Sequence, residues 1–181
     1  FLGLDLIIQF YPFIKDPKYV CVKLLLIFIT CLPIFGNDLP LGNDINFHFE
    51  RIEALATGLR EGQLPVRISS YWNNGYGYAS SLYYNDLFLL IPALFRLIGT
   101  SVQNAYKVYI FVVNVLTTYV TWYAFRKMFS HRASLVGTVL YVLSPYRLMC
   151  IYRRAAVGEY TAMAFFPLVI LGLFQIYTVA Q

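Results

Sequence analysis

Four apolar stretches divide the chain, and polar connectors separate them. The stretches are residues 19–35, 106–125, 133–149 and 160–180. Each approaches the roughly 20 mostly apolar residues that a helix needs to cross a bilayer, so the pattern predicts four transmembrane helices. A fifth apolar stretch, 82–98, also predicts a helix, but Asp86 and Arg96 interrupt it.

The composition supports a membrane protein. Hydrophobic residues make up 59% of the 181 residues and charged residues only 13%, whereas a soluble domain carries about 25% charged residues. We therefore predict an all-α integral membrane protein, a multi-pass chain in the cell membrane. The net charge of +5 comes from scattered residues, which favours membrane topology over nucleic-acid binding. The chain starts at Phe1 and stops at Gln181 inside an apolar run, so we expect it to be the N-terminal part of a longer protein.

Basic residues set the predicted topology. Those at the start of the first stretch are Lys15, Lys18 and Lys23. A second basic connector covers 126–132. The positive-inside rule places both connectors in the cytoplasm, so an even number of crossings separates them. We therefore expect 82–98 to lie along the outer leaflet, within an outer loop of residues 36–105.

The segment 42–51 carries the most concentrated polar chemistry in the chain. Asp44, His48 and Arg51 follow the first apolar stretch, and at 100° per residue they share one face of a helix. An acid, an imidazole and a guanidinium at a bilayer surface are costly to keep together, which indicates a site. The alternative is a capped interfacial helix with one salt bridge.

An amphipathic helix is predicted over 44–61. Its apolar stripe consists of Ile45, Phe49, Ile52, Ala56 and Leu59. Asn43 or Asp44 can cap the start of this helix, and Gly62 with Pro65 ends it. A helix with one apolar stripe is expected to lie flat in the membrane interface.

An aromatic, glycine-rich loop follows at 71–78. It contains Trp72 and Tyr76, and its turn residues predict an irregular path. One interpretation is a loop at the level of the lipid headgroups, where aromatic residues are enriched. The other is a platform on which a sugar or an isoprenoid stacks.

A second polar cluster precedes the last apolar stretch. Arg147, Arg153, Arg154 and Glu159 lie in a connector, 144–159, which the topology places outside. Outer arginines contradict the positive-inside rule unless something anionic requires them. They can form a clamp for a phosphate, to which guanidinium groups present forked donors. Alternatively, Glu159 only neutralises Arg153 or Arg154.

These motifs together resemble those of the GT-C class of membrane glycosyltransferases. The segments that carry the resemblance are Gly42-Asn43-Asp44…His48…Arg51, Gly62-Gln63-Leu64-Pro65, Asn74-Gly75-Tyr76-Gly77 and Arg154…Gly158-Glu159. They are most similar to large bacterial multispanning proteins. Some of these are labelled "6-pyruvoyl-tetrahydropterin synthase-related" membrane proteins, and others resemble enzymes that glycosylate lipoteichoic acid. A pterin synthase uses a zinc site of several histidines, and this chain has only two histidines.

The resemblance implies a GT-C-like fold and sugar transfer outside the cytoplasmic membrane. The donor would be a sugar on a polyprenyl phosphate, and the acceptor a cell-envelope glycopolymer or lipid. Asp44 matches the position of the catalytic carboxylate, with Asp38 as the fallback, and would act as general base. His48 would orient Asp44 or share its proton. Arg51 would hold Asp44 ionised or touch the donor phosphate.

The resemblance also assigns roles to the second cluster. Arg153 and Arg154 would bind the leaving phosphate, and Glu159 would position them as part of the catalytic set. Trp72 and Tyr76 would contact the substrate.

A metal cofactor is not expected. Some members of the wider class use a divalent metal. Asp44 and His48 could supply two ligands, but no third ligand is identifiable in the sequence.

Two other functions remain open. A transporter or flippase for an anionic lipid or lipid-linked sugar would also use intramembrane charges and broken helices. A non-catalytic subunit of an envelope assembly is the third possibility.

Overall fold

The computed structural model describes residues 17–37, 39, 42–70 and 72–179. The helices are α1 (Pro17–Cys31), α2 (Ile45–Arg60), α3 (Leu90–Leu97), α4 (Val102–Met128), α5 (His131–Val142), α6 (Pro145–Met149), α7 (Val157–Met163) and α8 (Phe166–Val179). Short 3-10 turns cover Leu32–Phe35 and Ser80–Leu82, and a π-helical turn covers Cys150–Arg154. No strand occurs in these ranges, which confirms the all-α prediction.

Three helical stretches in the described part of the chain are long and apolar enough to cross a membrane. They are Val102–Met128, His131–Arg154 and Val157–Thr178, which match the last three predicted spans. The first predicted span forms a shorter apolar helix, Tyr19–Phe35, and its crossing stays a prediction. Within the bundle, α4 packs against α1, α3, α5 and α8.

The membrane-length stretch His131–Arg154 is interrupted by a proline. Its first part, α5, ends at Val142, and Pro145 starts α6. Proline lacks the N–H that continues a helix but suits its first turn. The π-helical turn ends at Arg154, and the φ of the following Ala155, 54°, lies in the left-handed region. The connector 144–159 is therefore mostly helical.

The amphipathic helix predicted over 44–61 is present as α2. Its apolar stripe faces the protein interior, where Ile45 and Ile52 are buried. The neighbouring helices are α3 and α4. Gly62, with a φ of 78°, follows the end of the helix as expected. Protein covers the stripe, and the location of α2 at the membrane interface stays a prediction.

The predicted helix 82–98 is wrong in its first half, because only α3 is α-helical. The side-chain oxygen of Asn85 accepts a hydrogen bond from the N–H of Leu87 (2.8 Å). Such a local turn competes with helix formation. Further along, Arg96 of α3 forms a two-pronged ion pair with Glu53 of α2 (2.7 and 3.0 Å). The charge that interrupts the apolar pattern therefore joins two helices.

Arg147 lies inside the bundle, so the expectation that it faces the outer surface is wrong. Its side chain is only 2% exposed. The guanidinium donates to the Val142 carbonyl (3.0 Å), to Asn114 Oδ1 (2.6 Å) and to Thr117 Oγ1 (3.2 Å). Asn114 stands near the middle of the 27-residue α4. A cation is thus held by neutral partners deep among the helices.

Candidate functional site

Two segments that are distant in sequence meet where α2 begins. The backbone N–H of Asn43 donates to the carbonyl of Arg153 (3.3 Å), and that of Asp44 donates to the carbonyl of Arg154 (3.1 Å). Gly42 permits this approach, because a Cβ at its position would lie 2.7 Å from the Cβ of Ala155. The main chain therefore holds the start of α2 against the end of the π-helical turn.

Replacing Gly42 with alanine is expected to lower the free energy of unfolding by about 1–3 kcal/mol, the usual cost of overpacking. The added methyl group would collide with Ala155 and push α2 away from the π-helical turn. Thermal unfolding of the purified protein in detergent would measure the loss. The double variant Gly42→Ala/Ala155→Gly should recover most of it, because the second change removes the clashing Cβ. Equal stability of Gly42→Ala and wild type would contradict the proposed close packing.

A cavity of about 500 Å³ opens beside this junction. Its walls come from the start of α2, the loop before α3 and the start of α7. The wall residues with polar chemistry are Asp44, His48, Arg51, Tyr84, Asn85 and Glu159. The volume lies within the range of about 300–1,000 Å³ that is usual for ligand pockets. The cavity wall thus contains Asp44, His48 and Arg51 of the first predicted cluster together with Glu159 of the second.

Asp44 occupies the N-cap position of α2, with its side chain exposed. Its carboxylate accepts no capping hydrogen bond from the helix, so the side chain does not act as the predicted cap. An exposed carboxylate in a cavity wall can accept a proton from a bound ligand. Asp38, the fallback for this role, lies outside the described residues.

Arg51 forms its ion pair with Asp86 and not with Asp44, the acid expected from the sequence. Its guanidinium donates to Asp86 (2.5 Å) and to the carbonyl of Asn85 (3.2 Å). The rings of Phe47 and Tyr84 flank it at 5.7 and 5.0 Å, which adds cation–π attraction. Within the described ranges no ion pair joins Arg51 to Asp44. Arg51 therefore anchors the loop before α3 to α2.

His48 is a neutral side chain buried next to Arg51. Its Nδ1 lies 3.5 Å from Nη1 of Arg51. Because arginine only donates, Nδ1 is the acceptor and Nε2 carries the proton. Burial, reinforced by the Arg51 charge, lowers the pKa of His48 from 6.5 to about 4. At neutral pH the ring is therefore a weak base, better suited to donating a hydrogen bond than to storing a proton.

The low pKa of His48 predicts a loss of stability in acid. The unfolded chain binds a proton at His48 near pH 6.5, whereas the folded chain does so only near pH 4. Folding stability from this group is thus complete above about pH 6.5 and falls by up to about 3 kcal/mol as pH decreases toward 4. Thermal unfolding across this range should show a smaller decrease for His48→Gln than for wild type. Parallel curves for the two proteins would refute the assignment.

Glu159 and Arg154 form a two-pronged ion pair at the cavity. Both N–O distances are 2.7 Å, and the hydroxyl of Tyr146 donates to the same carboxylate (3.1 Å). Glu159 lies in the cavity wall, and its partner Arg154 does not line the cavity. Arg153 is exposed and, among the described residues, does not line the cavity. The predicted neutralisation of an arginine by Glu159 is therefore present for Arg154.

The predicted aromatic residues divide into two groups. Trp72 packs against Phe47 of the cavity wall (5.8 Å between ring centroids) and against Tyr78 (4.8 Å). Tyr76 is 94% exposed and does not line the cavity. Tyr84 does line it, and sequence reasoning missed this residue. One feature of the sequence points to Tyr84. It directly precedes two polar residues, Asn85 and Asp86, that interrupt an apolar stretch.

The described residues contain no group of three or more histidine, cysteine, aspartate or glutamate side chains that could hold a metal ion. Asp44 and His48 therefore gain no third ligand from this part of the chain. A metal role stays without support from the site geometry.

Comparison with known proteins gives no match for this chain. No model of a known protein family matches it, and neither does any curated protein or any solved structure. The resemblance to GT-C glycosyltransferases therefore stays a prediction, and a functional proposal has to rest on the geometry of the cavity.

Proposed function

We propose that this protein is a membrane glycosyltransferase of the GT-C type. It moves a sugar from a polyprenyl phosphate to a glycopolymer or lipid acceptor of a bacterial cell envelope, on the outer face of the membrane. The observation that carries the proposal is the cavity that contains both Asp44 and Glu159. Its volume suits a sugar phosphate, and its acidic and basic groups suit transfer chemistry.

The proposed reaction begins with the acceptor hydroxyl. Asp44 takes its proton while the oxygen attacks the anomeric carbon of the donor sugar. The bond between that carbon and the phosphate oxygen breaks, and the electron pair leaves with the phosphate. Arg154, which Glu159 of the cavity wall orients, lies next to the cavity and is proposed to stabilise this growing negative charge. Arg153 is exposed and does not line the cavity, so this step does not depend on it.

Arg51 and His48 act as positioning residues in this reaction. The buried Arg51–Asp86 pair fixes the loop that forms one wall of the cavity. His48 lines the cavity, stays neutral at physiological pH and is proposed to donate a hydrogen bond from Nε2 to the ligand. Trp72 supports Phe47 in the wall, and Tyr84 offers a ring on which a sugar can stack.

The site is proposed to face the outside of the cell. The apolar helices favour a bilayer environment, and the basic connector 126–132 marks the cytoplasmic side. In this arrangement α2 and α3 lie near the outer membrane interface. Topology reporters at Tyr76 and Ser130 should fall on opposite sides of the membrane. Reporters on the same side would overturn the arrangement.

A lipid transporter is the second candidate, because Arg147 places a charge near the middle of α4. Intramembrane charges of this kind often mark transport pathways. The cavity that holds Asp44 has no Arg147 in its wall, however. The glycosyltransferase therefore accounts for more of the polar residues in the described ranges.

Proteoliposomes separate the two candidates. They would contain the full protein, a polyprenyl phosphate that carries a radiolabelled sugar, and cell-envelope extract as acceptor. A glycosyltransferase transfers label into the acceptor fraction and leaves polyprenyl phosphate behind. A transporter moves intact labelled lipid between leaflets without cleaving it. The second result would reject the proposed function.

A further inference from the structure

A second, smaller cavity of about 170 Å³ adjoins the first. It lies between the loop before α3 and the helices α4 and α7. The apolar side chains that line it include Phe88, Leu89, Val157, Ala162 and Phe165. The rings of Phe88 and Phe165 stand 5.6 Å apart across this region. The lining therefore favours a hydrocarbon occupant.

Hydroxyl groups in this lining already have partners. Tyr109 and Thr161 form a hydrogen bond of 2.5 Å with each other. A hydroxyl that is bonded within the protein does not require a polar ligand atom. This pair therefore leaves the apolar character of the small cavity intact.

The two cavities share Asn85, Val157 and Gly158 in their walls. At Gly158 the shared wall carries no side chain. A Cβ built on this glycine meets no atom within 4 Å, and its φ is not in the left-handed region. The backbone would accept a larger residue here, so the absence of a side chain is not required by the fold. It leaves open space at the boundary between the cavities.

The two volumes correspond to the two ends of a lipid-linked sugar. An engineered protein cavity of about 150 Å³ accommodates benzene, so 170 Å³ suits a group of similar size, such as one isoprene unit. The larger cavity, at about 500 Å³, suits a polar head. Beyond Phe165, α8 exposes apolar residues such as Phe166 and Val169, along which a longer chain can continue into lipid.

We propose that the two cavities form one site for a polyprenyl phosphate, with Gly158 as the passage between head and tail. The phosphate and its sugar occupy the larger cavity, and the first isoprene unit occupies the smaller one. This inference rests on the proposed function, because it assigns the donor of that reaction to a specific position. It also predicts that recognition ends near the first isoprene unit, since the smaller cavity holds little more.

Binding to the purified full protein in nanodiscs tests this site without requiring catalysis. The probes are a long polyprenyl phosphate, geranyl phosphate, saturated phosphatidic acid and inorganic phosphate. Gly158→Leu narrows the passage, and Ala162→Phe fills the smaller cavity alone. Each should weaken binding of both isoprenoid phosphates at least about tenfold, a difference of about 1.4 kcal/mol. Geranyl phosphate should bind wild type nearly as well as the long chain.

Two matched variants control for folding and bulk. Gly172 in α8 also has open space at its Cβ and lines neither cavity, so Gly172→Leu should bind like wild type. Ala133→Phe adds an aromatic ring at an exposed position of α5. Gly158→Leu should unfold at a temperature equal to or above that of wild type, because leucine favours a helix more than glycine does.

The outcomes separate this inference from the proposed function. Unchanged isoprenoid binding in Ala162→Phe, or equal binding of phosphatidic acid, overturns the isoprene site even if sugar transfer persists. Binding of inorganic phosphate alone would also overturn it and leave only a phosphate site. Isoprenoid binding that depends on Gly158 and Ala162, in a protein that transfers no sugar, would support the site and reject the glycosyltransferase.

Discussion

Replacing Asp44 with asparagine is expected to reduce the kcat of sugar transfer by about 10²–10⁴-fold, the range for loss of a general base. Asparagine keeps the size of the side chain but cannot accept a proton from the acceptor hydroxyl. The fold should tolerate the change, because the Asp44 carboxylate makes no capping hydrogen bond with α2. Transfer of radiolabel by wild type and variant proteoliposomes measures the effect, and nanodisc binding of polyprenyl phosphate should be unchanged.

The control for this variant removes a carboxylate at the other end of α2. Glu61 follows the helix and is exposed, and among the described residues its carboxylate accepts a hydrogen bond only from the Gln63 side chain. Glu61→Gln should transfer sugar at the wild-type rate. Full activity of Asp44→Asn would reject Asp44 as the base. Loss of activity in Asp38→Asn alone would then assign the base to Asp38.

Replacing Asn114 with leucine should lower the free energy of unfolding by about 3 kcal/mol or more, because it removes one hydrogen-bond partner of the buried Arg147 guanidinium and leaves only Val142 and Thr117. Leucine has a similar size but cannot accept the hydrogen bond from Arg147, whose Nε already lacks a partner. Chemical unfolding of the purified protein in detergent measures the loss. This is the largest effect on stability that we expect from a single substitution in the bundle.

A double variant distinguishes this explanation from simple damage to α4. Asn114→Leu/Arg147→Met removes the buried charge as well as its partner, so it should be much more stable than Asn114→Leu. Thr118→Val provides the matched control one turn along α4. Its hydroxyl bonds only the backbone of its own helix, and its loss should cost about 1 kcal/mol or less. Similar losses for Asn114→Leu and Thr118→Val would contradict a special role for the Arg147 contact.

The sequence predicted those helices that show a clear hydrophobic pattern over their whole length. Length and apolarity are enough to identify the membrane-length stretches, and the stripe through Ile45 and Ile52 identifies α2. The break at Asn85 was not predicted, since a single side-chain hydrogen bond outweighs the apolar character of its neighbours. The left-handed Ala155 was also missed, because nothing in its own side chain favours that conformation.

The sequence predicted which residues belong to the site better than it predicted which of them form ion pairs with each other. Helical spacing places Asp44, His48 and Arg51 on one face, and the topology brings Glu159 to the same side. The partner of Arg51 is Asp86, 35 residues away in sequence, and helical spacing carries no information about such a contact. An acid inside an apolar stretch does signal that a cation must lie nearby.

The contact between α2 and the π-helical turn affects which substitutions the site can accept during evolution. It is made by main-chain atoms of Asn43, Asp44, Arg153 and Arg154, and most substitutions leave such atoms in place. The spacing across the cavity is therefore largely independent of the identity of its lining residues. Tyr84 and Gly158 can vary, and with them the shape of the cavity, while Asp44 and Glu159 keep their separation. The fold thus permits the chemistry of the cavity wall to change without a change in the position of Asp44.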